Sequence, residues 1–352
     1  MQPAPKISRQ NNFDFLRVLF ATLVFIQHFC IVTSSQSFEP LFKLIYPLSS
    51  QSVPAFFVIS GFLIFMSYEN SKSLKSYLEK RIRRIAPAYY FVVVITAFAG
   101  IFLSSLGSYQ YITNPNLFKY LFANVTFLNF IQPSLPGVFD HNPFGPAVNG
   151  SLWTIKIEVM FYLIVPVIAM LLHKFDKLLT IAIIYILSFS YKEILYVISE
   201  QTGQKFLIEL GLQLPGQLSF FLSGCLLYYY FEVFTSKYQY LLIPSTALLI
   251  VDSYTQSKFL PIRLLVPISL AVVVISIAFF TPQLKIFSKY GDFSYGIYIY
   301  HFPIIQVFIE LGFFQLNNSV TFFSVTILLV LTAYYSWHWI EKPFLQVNSD
   351  TK

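Results

Sequence analysis

Charge is what this sequence has least of. Of its 352 residues only 11% are Asp, Glu, Lys or Arg, while 56% are hydrophobic. Soluble globular chains carry about 25% charge, so one soluble core cannot hide this much apolar surface, and the bilayer is the solvent that suits it. Cysteine is equally scarce. Cys30 and Cys225 both fall in apolar runs, which excludes a disulfide framework and a CxxC metal site, and no metal is expected. The N-terminal region lacks the short apolar core and small-residue cleavage site of a signal peptide. Its first apolar run continues into a full span carrying Arg17 and His28, and reads as a retained helix. No internal repeat of the kind found in secondary transporters is visible.

Apolar runs recur instead, each about twenty residues long and separated by short polar stretches. They predict an all-α, polytopic transmembrane helix bundle with spans near 13–34, 46–69, 86–106, 151–172, 178–198, 206–230, 239–256, 260–281, 290–312 and 320–340. The net charge of +7 reads as topology, not as a nucleic-acid surface. With a cytosolic N-terminus the inner segments collect Lys6, Arg9, Lys72, Lys75, Lys80, Arg81, Arg83, Arg84, Lys174, Lys177, Lys237, Lys285, Lys289, Lys342 and Lys352. The outer segments hold only Lys43, Lys119, Lys192, Lys205, Lys258 and Arg263. That is the positive-inside bias, and ten spans return the C-terminus to the cytosol. The expected organisation is a cytosolic segment 1–12, a membrane domain 13–344 and a cytosolic tail 345–352. Two connections are long: a basic one at 71–84, and an outer one at 107–150 whose aromatic, proline-rich end suggests a lid or acceptor platform. Asn124, Asn149 and Asn317 begin N-x-S/T sequons, a pattern short enough to arise by chance.

Ionisable groups inside spans are costly and mark functional positions unless they pair structurally or reach the headgroups. Arg17 and His28 are eleven residues apart, three helical turns plus about 20°, so they share a face at a separation of about 16 Å. Arg17 could instead snorkel, paired with Asp14. Pro54 and the Ser60-Gly61 pair predict a broken second span, where Gly61 lets a ligand or another helix approach. Arg81 and Arg84 stand at i and i+3 before Pro87, and their forked guanidiniums suit phosphate as well as anionic lipid. Asn149 and Ser151 offer caps to the fourth span. Lys156 and Glu158 in that span point apart, so Glu158 needs a partner elsewhere. Tyr298 and His301 share a face of the ninth span, and Glu341 and Lys342 are expected at the cytosolic surface.

Taken in order, Arg17-x10-His28, FFVISGF at 56–62, Arg81-x-x-Arg84 before Pro87, SLWTIKIE at 151–158, FSYGIYIYH at 293–301 and IEKPF at 340–344 resemble the acyltransferase 3 family of integral membrane proteins over Phe13 to Phe344. The resemblance implies a ten-helix enzyme of the bacterial inner membrane. Such an enzyme moves an acyl group, usually acetyl, from cytosolic acyl-CoA to a hydroxyl of an exported or surface glycan, free or lipid-linked. It implies His28 as the catalytic histidine and Arg17 as its companion. Ser60, Gly61, Phe62, Arg81 and Arg84 would help bind acetyl-CoA, and Trp153, Glu158, Tyr295, Tyr298 and His301 stand as further site candidates. Some members carry a fused SGNH-type domain, and this chain resembles the stand-alone form. Imidazole titrates near neutrality, so His28 would take the acceptor hydroxyl's proton as it attacks the thioester, directly or through an acyl-histidine. A glycolipid transporter using Arg17, Glu158 and His301 as pathway residues, or a silent sensor on the same scaffold, are the competing readings.

Overall fold

The computed structural model describes residues 7, 10–255, 259–284 and 291–346. Lys6, Arg9, Lys258, Lys285, Lys289 and Lys352, counted in the charge bias, lie outside the described residues, as do positions 347–352 of the expected tail.

Helices dominate. They are α1 (Phe13–Thr33), α2 (Glu39–Ser49), α3 (Ser52–Glu69), α4 (Leu74–Leu103), α5 (Ser108–Ile112), α6 (Pro115–Val125), α7 (Leu152–Lys174) and α8 (Lys177–Thr202). There follow α9 (Phe206–Gly211), α10 (Leu214–Tyr229), α11 (Phe231–Thr255), α12 (Leu260–Phe280), α13 (Ser294–Glu310), α14 (Phe313–Leu316), α15 (Asn318–Ser336) and α16 (Lys342–Gln346). Among the described residues, extended pairing is confined to one bridge between Ser134 and Ala147. Among the described residues, eight helical segments are long and apolar enough to cross a membrane: Phe13–Thr33, Gln36–Glu69, Leu74–Leu103, Leu152–Lys174, Lys177–Thr202, Phe206–Tyr229, Leu260–Phe280 and Asn318–Gln346. The stretches expected as the seventh and ninth spans are helical too, as α11 and α13. The chain is thus an all-α, multi-pass integral membrane protein.

Three local expectations are corrected. Ser60-Gly61 does not break its helix, because α3 runs unbroken from Ser52 to Glu69; the interruption falls earlier, between Ser49 and Ser52. The basic stretch at 71–84 is largely helix, since α4 starts at Leu74 and continues through Pro87. The 107–150 connection folds α5 and α6 before its irregular part.

The chain divides into two compact units, and the first comprises Met1–Leu16, Ser50–Leu78 and Ile157–Lys285. Within it α10 packs on α3 and α8, and α12 on α3 and α11. The α3–α10 contact is a reciprocal glycine packing. A Cβ on Gly61 would overlap the Phe221 carbonyl, and one on Gly224 would overlap the Val58 carbonyl. Small residues let helix backbones touch in this way where the surrounding solvent is as apolar as the side chains. Phe161 stacks on Phe221 at 4.1 Å, and Phe62 is fully buried beside Phe13, Tyr228, Phe231 and Phe279. Gly61→Ala should therefore overpack the contact and cost about 1–3 kcal/mol. Heating the purified protein before size-exclusion chromatography should lower its half-loss temperature, while Gly107→Ala, where a Cβ meets nothing within 4 Å, should not.

The second unit comprises Arg17–Ser49, Glu79–Lys156 and Ile286–Lys352. Tyrosine hydroxyls hold α5 and α6 on α4: Tyr111 donates to the Ala97 carbonyl (2.7 Å), Tyr89 to the Asn124 carbonyl (2.9 Å), and Tyr120 bonds Thr96 (3.1 Å). Gln306 of α13 anchors the irregular loop, donating to the Gly145 and Ala147 carbonyls and accepting from the Asn142 side-chain amide on its Oε1. Gly296 allows α13 to close on Ala333 of α15. The three sequon asparagines all have internal structural work. Asn124 donates to the Tyr120 carbonyl, Asn149 joins α13 to the start of α7, and Asn317 caps α15.

Candidate active site

The candidate residues of the second unit gather at the two ends of a helix pair. α1 and α13 meet at two rungs, Arg17 with Asp292 and His28 with His301. The rungs are eleven residues apart on the first helix and nine on the second, in the same sense. The helices therefore run parallel, with about 16 Å between rungs along α1.

At the first rung one carboxylate serves two guanidiniums. Asp292 Oδ2 accepts from Arg17 Nη1 at 3.3 Å and, in a still closer contact, from Arg84 Nη2. The Ser294 hydroxyl donates to the other carboxylate oxygen, and the Ser294 amide bonds it at 3.3 Å, which fixes Asp292 against the start of α13. Burial alone would raise the pKa of this carboxyl, but Arg84, Arg17 and the Ser294 hydroxyl overturn that and hold it at about 2. Arg81 lies one turn before Arg84 on the same helix and is half-buried. Tyr295 donates to the Ile85 carbonyl at 3.1 Å, tying α13 to α4. Arg17 thus has a carboxylate partner at Asp292, far along the chain.

At the second rung the hydrogen bonds fix two tautomers. The Ile297 carbonyl can only accept, so His301 carries its hydrogen on Nδ1 (3.0 Å). Nε2 of a neutral His301 is then an acceptor. His28 must donate to it from Nδ1, at 2.7 Å, and the Ser151 hydroxyl approaches the same nitrogen at 3.2 Å. His28 Nε2 is left with a lone pair and makes no hydrogen bond among the described residues. His301 is fully buried, while His28 keeps part of its surface open. Phe302 meets the His28 ring edge-on at 5.5 Å, and Phe25 meets His301 likewise at 6.2 Å. Tyr298 shares a 2.7 Å bond with Thr154 of α7.

The register of α7 against α13 follows from a proline. Pro303 has no amide hydrogen, which deprives the Ile299 carbonyl of its helical donor. Asn149 supplies one from its side chain at 2.8 Å, while its oxygen accepts from the Ser151 amide at 3.1 Å. Ser151 is thereby set beside His301.

Ser60, Gly61, Phe62 and Glu158 belong to the first unit. Gly61 is spent on the α10 contact and Phe62 on the aromatic cluster. Glu158 finds its partner one turn along its own helix, accepting from Tyr162 Oη at 2.5 Å. Trp153, in the second unit, lines a surface cavity with Asn129 and Phe130. Glu341 is not at the surface as expected. It is 2% exposed, closes a π-helical turn at Trp337–Glu341, and accepts from Ser336, which in turn bonds Tyr300. Sequence reasoning missed Asp292, Ser151 and the burial of Glu341. Asp292 had one legible signal, an acidic residue flanked by Gly291 and a helix-starting Ser294.

An oriented histidine pair, one ring fully buried and the other partly open, and an arginine cluster at opposite ends of one helix pair, in a multi-pass membrane chain, fit an integral-membrane acyltransferase. The chain belongs to the acyltransferase 3 family, whose acyltransferase domain matches residues 10–338. It is 26% identical over 342 residues to an O-acetyl transferase of Shigella phage Sf6, covering 97% of this chain and 98% of the phage protein. Nodulation protein 10 of Rhizobium leguminosarum bv. viciae is 24% identical over 364 residues, covering 97% and 94%. O-acetyltransferase OatA of Staphylococcus aureus is 27% identical over 358 residues, covering 88% of this chain and 56% of OatA. No solved structure matches the chain.

Proposed function

We propose that this protein is a membrane O-acetyltransferase of the bacterial inner membrane that moves an acetyl group from cytosolic acetyl-CoA to a hydroxyl of an exported or surface glycan. The observation that supports this most is the hydrogen-bonded order Ile297 carbonyl, His301, His28, which leaves His28 Nε2 as a free base. Family membership supplies the acyl-transfer class, and relatives named O-acetyltransferases favour acetyl.

In this reading His28 Nε2 takes the proton of the acceptor hydroxyl while that oxygen attacks the thioester carbonyl. The positive charge on the imidazolium is stabilised through its Nδ1–H bond to His301, which acts on the acceptor only through His28. Collapse of the tetrahedral adduct breaks the carbon–sulfur bond, and the departing thiolate recovers the proton from Nε2. One ester forms, one thioester breaks, and His28 ends neutral. The guanidiniums of Arg17 and Arg84, with Arg81 a turn away, are of the kind that suits the phosphates of coenzyme A. In the topology read from the positive-inside bias, that cluster is at the cytosolic end and His28 at the outer end. By the family resemblance, Ser60, Gly61 and Phe62 would also help bind the donor.

Purified protein given radiolabelled acetyl-CoA should release free thiol and label a glycan acceptor, and mass spectrometry of surface glycans with and without the gene should reveal that acceptor. Movement of a glycolipid with neither event would replace the enzyme by a flippase. Arg81→Ala should raise the acetyl-CoA KM about tenfold, as expected for loss of one charge-assisted contact, with little change in kcat. An unchanged KM with altered membrane orientation would make Arg81 a lipid anchor.

A further inference from the structure

α6, the irregular loop after it and the first turn of α7 line a surface cavity of about 120 Å³ that the chemistry above does not use. Its lining combines the rings of Trp153, Phe130 and Tyr120 with the amides of Asn129 and Asn149. Asn149 is fully committed to Ile299 and Ser151. Asn129 is not. It is 8% exposed, yet its side-chain amide makes no hydrogen bond among the described residues, and neither does the Trp153 indole N–H. The Asn129 amide atoms are not among the buried side-chain atoms that lack a partner, so they are open at the cavity wall. An amide held in this way at a cavity wall is set for a ligand with hydroxyls.

One charge stands beside the lining, the Lys156 ammonium at 4.6 Å from the Phe130 ring centroid, and the lining itself carries no carboxylate. It offers aromatic planes beside neutral donors and acceptors, the pairing that suits a pyranose, whose ring faces are C–H and whose rim is hydroxyl. A lipid chain would leave Asn129 desolvated without compensation. The cavity is smaller than the roughly 300–1,000 Å³ of sites that engulf a whole small ligand, so it takes one unit of a longer molecule. It also adjoins the histidine pair by two routes. Gly150 lines the cavity, and a Cβ there would come within 2.6 Å of the Phe302 ring, which itself abuts His28. Ser151, between lining residues Gly150 and Leu152, bonds His301.

We propose that this cavity is the acceptor subsite and binds one pyranose unit of the glycan, with Trp153 as the stacking platform and Asn129 as the hydrogen-bonding residue. The acceptor role rests on the transferase reading given above; the sugar binding does not. The test is saturation-transfer-difference NMR on protein in nanodiscs, with millimolar methyl glycosides of glucose, galactose, mannose and N-acetylglucosamine as probes. At least one glycoside should receive saturation, and Asn129→Ala should weaken its binding about fivefold, the loss of roughly one hydrogen bond. Trp153→Ala should abolish it and Trp153→Phe should restore part. His28→Ala, which removes no lining residue, should keep it. Should Trp153→Ala prove unstable on heating, Asn129→Ala and Trp153→Phe carry the test. No saturation of any glycoside, or binding indifferent to both positions, overturns the proposal, and so does a dodecyl chain that binds in their place with the same variant sensitivity. Thiol release without glycoside binding removes this subsite and leaves the enzyme; glycoside binding without thiol release removes the acceptor role along with the transferase reading.

Discussion

His28→Ala should reduce acetyl transfer by about 10²–10⁴-fold, the range a positioned general base supplies, while the protein still inserts and folds. Insertion is spared because His28 is only part-buried and because its removal does not orphan His301, whose Nε2 retains the Ser151 hydroxyl. The stronger form of this experiment separates the base from the residue that orients it. His301→Ala removes the acceptor that keeps the His28 hydrogen on Nδ1, freeing the ring to turn or to adopt the other tautomer, so kcat should fall steeply with little change in acetyl-CoA KM. His301→Gln places a carbonyl oxygen near the lost nitrogen and should recover part of kcat. A purely structural His301 would make both variants lose stability and activity together, with no recovery from glutamine. Transfer rates from labelled acetyl-CoA, read beside thermal stability in the same preparation, discriminate the two.

Much of this geometry was legible in the sequence because helical periodicity is a local property. The eleven-residue interval of Arg17 and His28 puts them on one face whatever surrounds the helix, and both do engage α13. The placement of Tyr298 and His301 on one face follows from the same arithmetic, and both meet the start of α7. What sequence could not give is which helices meet. Asp292 has no periodic relation to Arg17 or Arg84, and only the parallel register of α1 and α13 brings the three together. The role of Asn149 was half visible: its capping power is a residue property, whereas the carbonyl freed by Pro303 lies 150 residues away. Ser60-Gly61 misled for the complementary reason. In a membrane helix a small residue signals a break and a close contact equally well, and here the contact with Phe221 explains the glycine without any break. Glu341 was assigned to the surface because charged residues near span ends usually reach it, but the π-helical turn rotates it inward onto Ser336.

Asp292→Ala should be among the most damaging changes outside the histidine pair. It leaves two part-buried guanidiniums facing each other without their shared carboxylate, and removing one member of a buried ionic group typically costs about 3–5 kcal/mol. Arg17→Ala should cost less, since Asp292 then keeps Arg84. Asparagine at 292 retains a hydrogen-bond acceptor but not the charge, so it should fall between wild type and alanine. The acid dependence gives the sign independently. The folded carboxyl sits at about 2, below an unfolded aspartate near 3.9, so its ionisation adds about 2–3 kcal/mol of stability that is complete above roughly pH 4 and lost as pH falls towards 2. Protonation removes less than alanine does, because the neutral acid still accepts a hydrogen bond. Stability measured from pH 6 to pH 2 should therefore decline for wild type with a component that Asp292→Asn lacks, while the two share every other acid-sensitive group. Parallel curves would mean that the carboxylate holds the arginines by shape alone; curves that converge as pH falls make it the charge that fixes α1, α4 and α13 at the end where the donor's phosphates are proposed to bind.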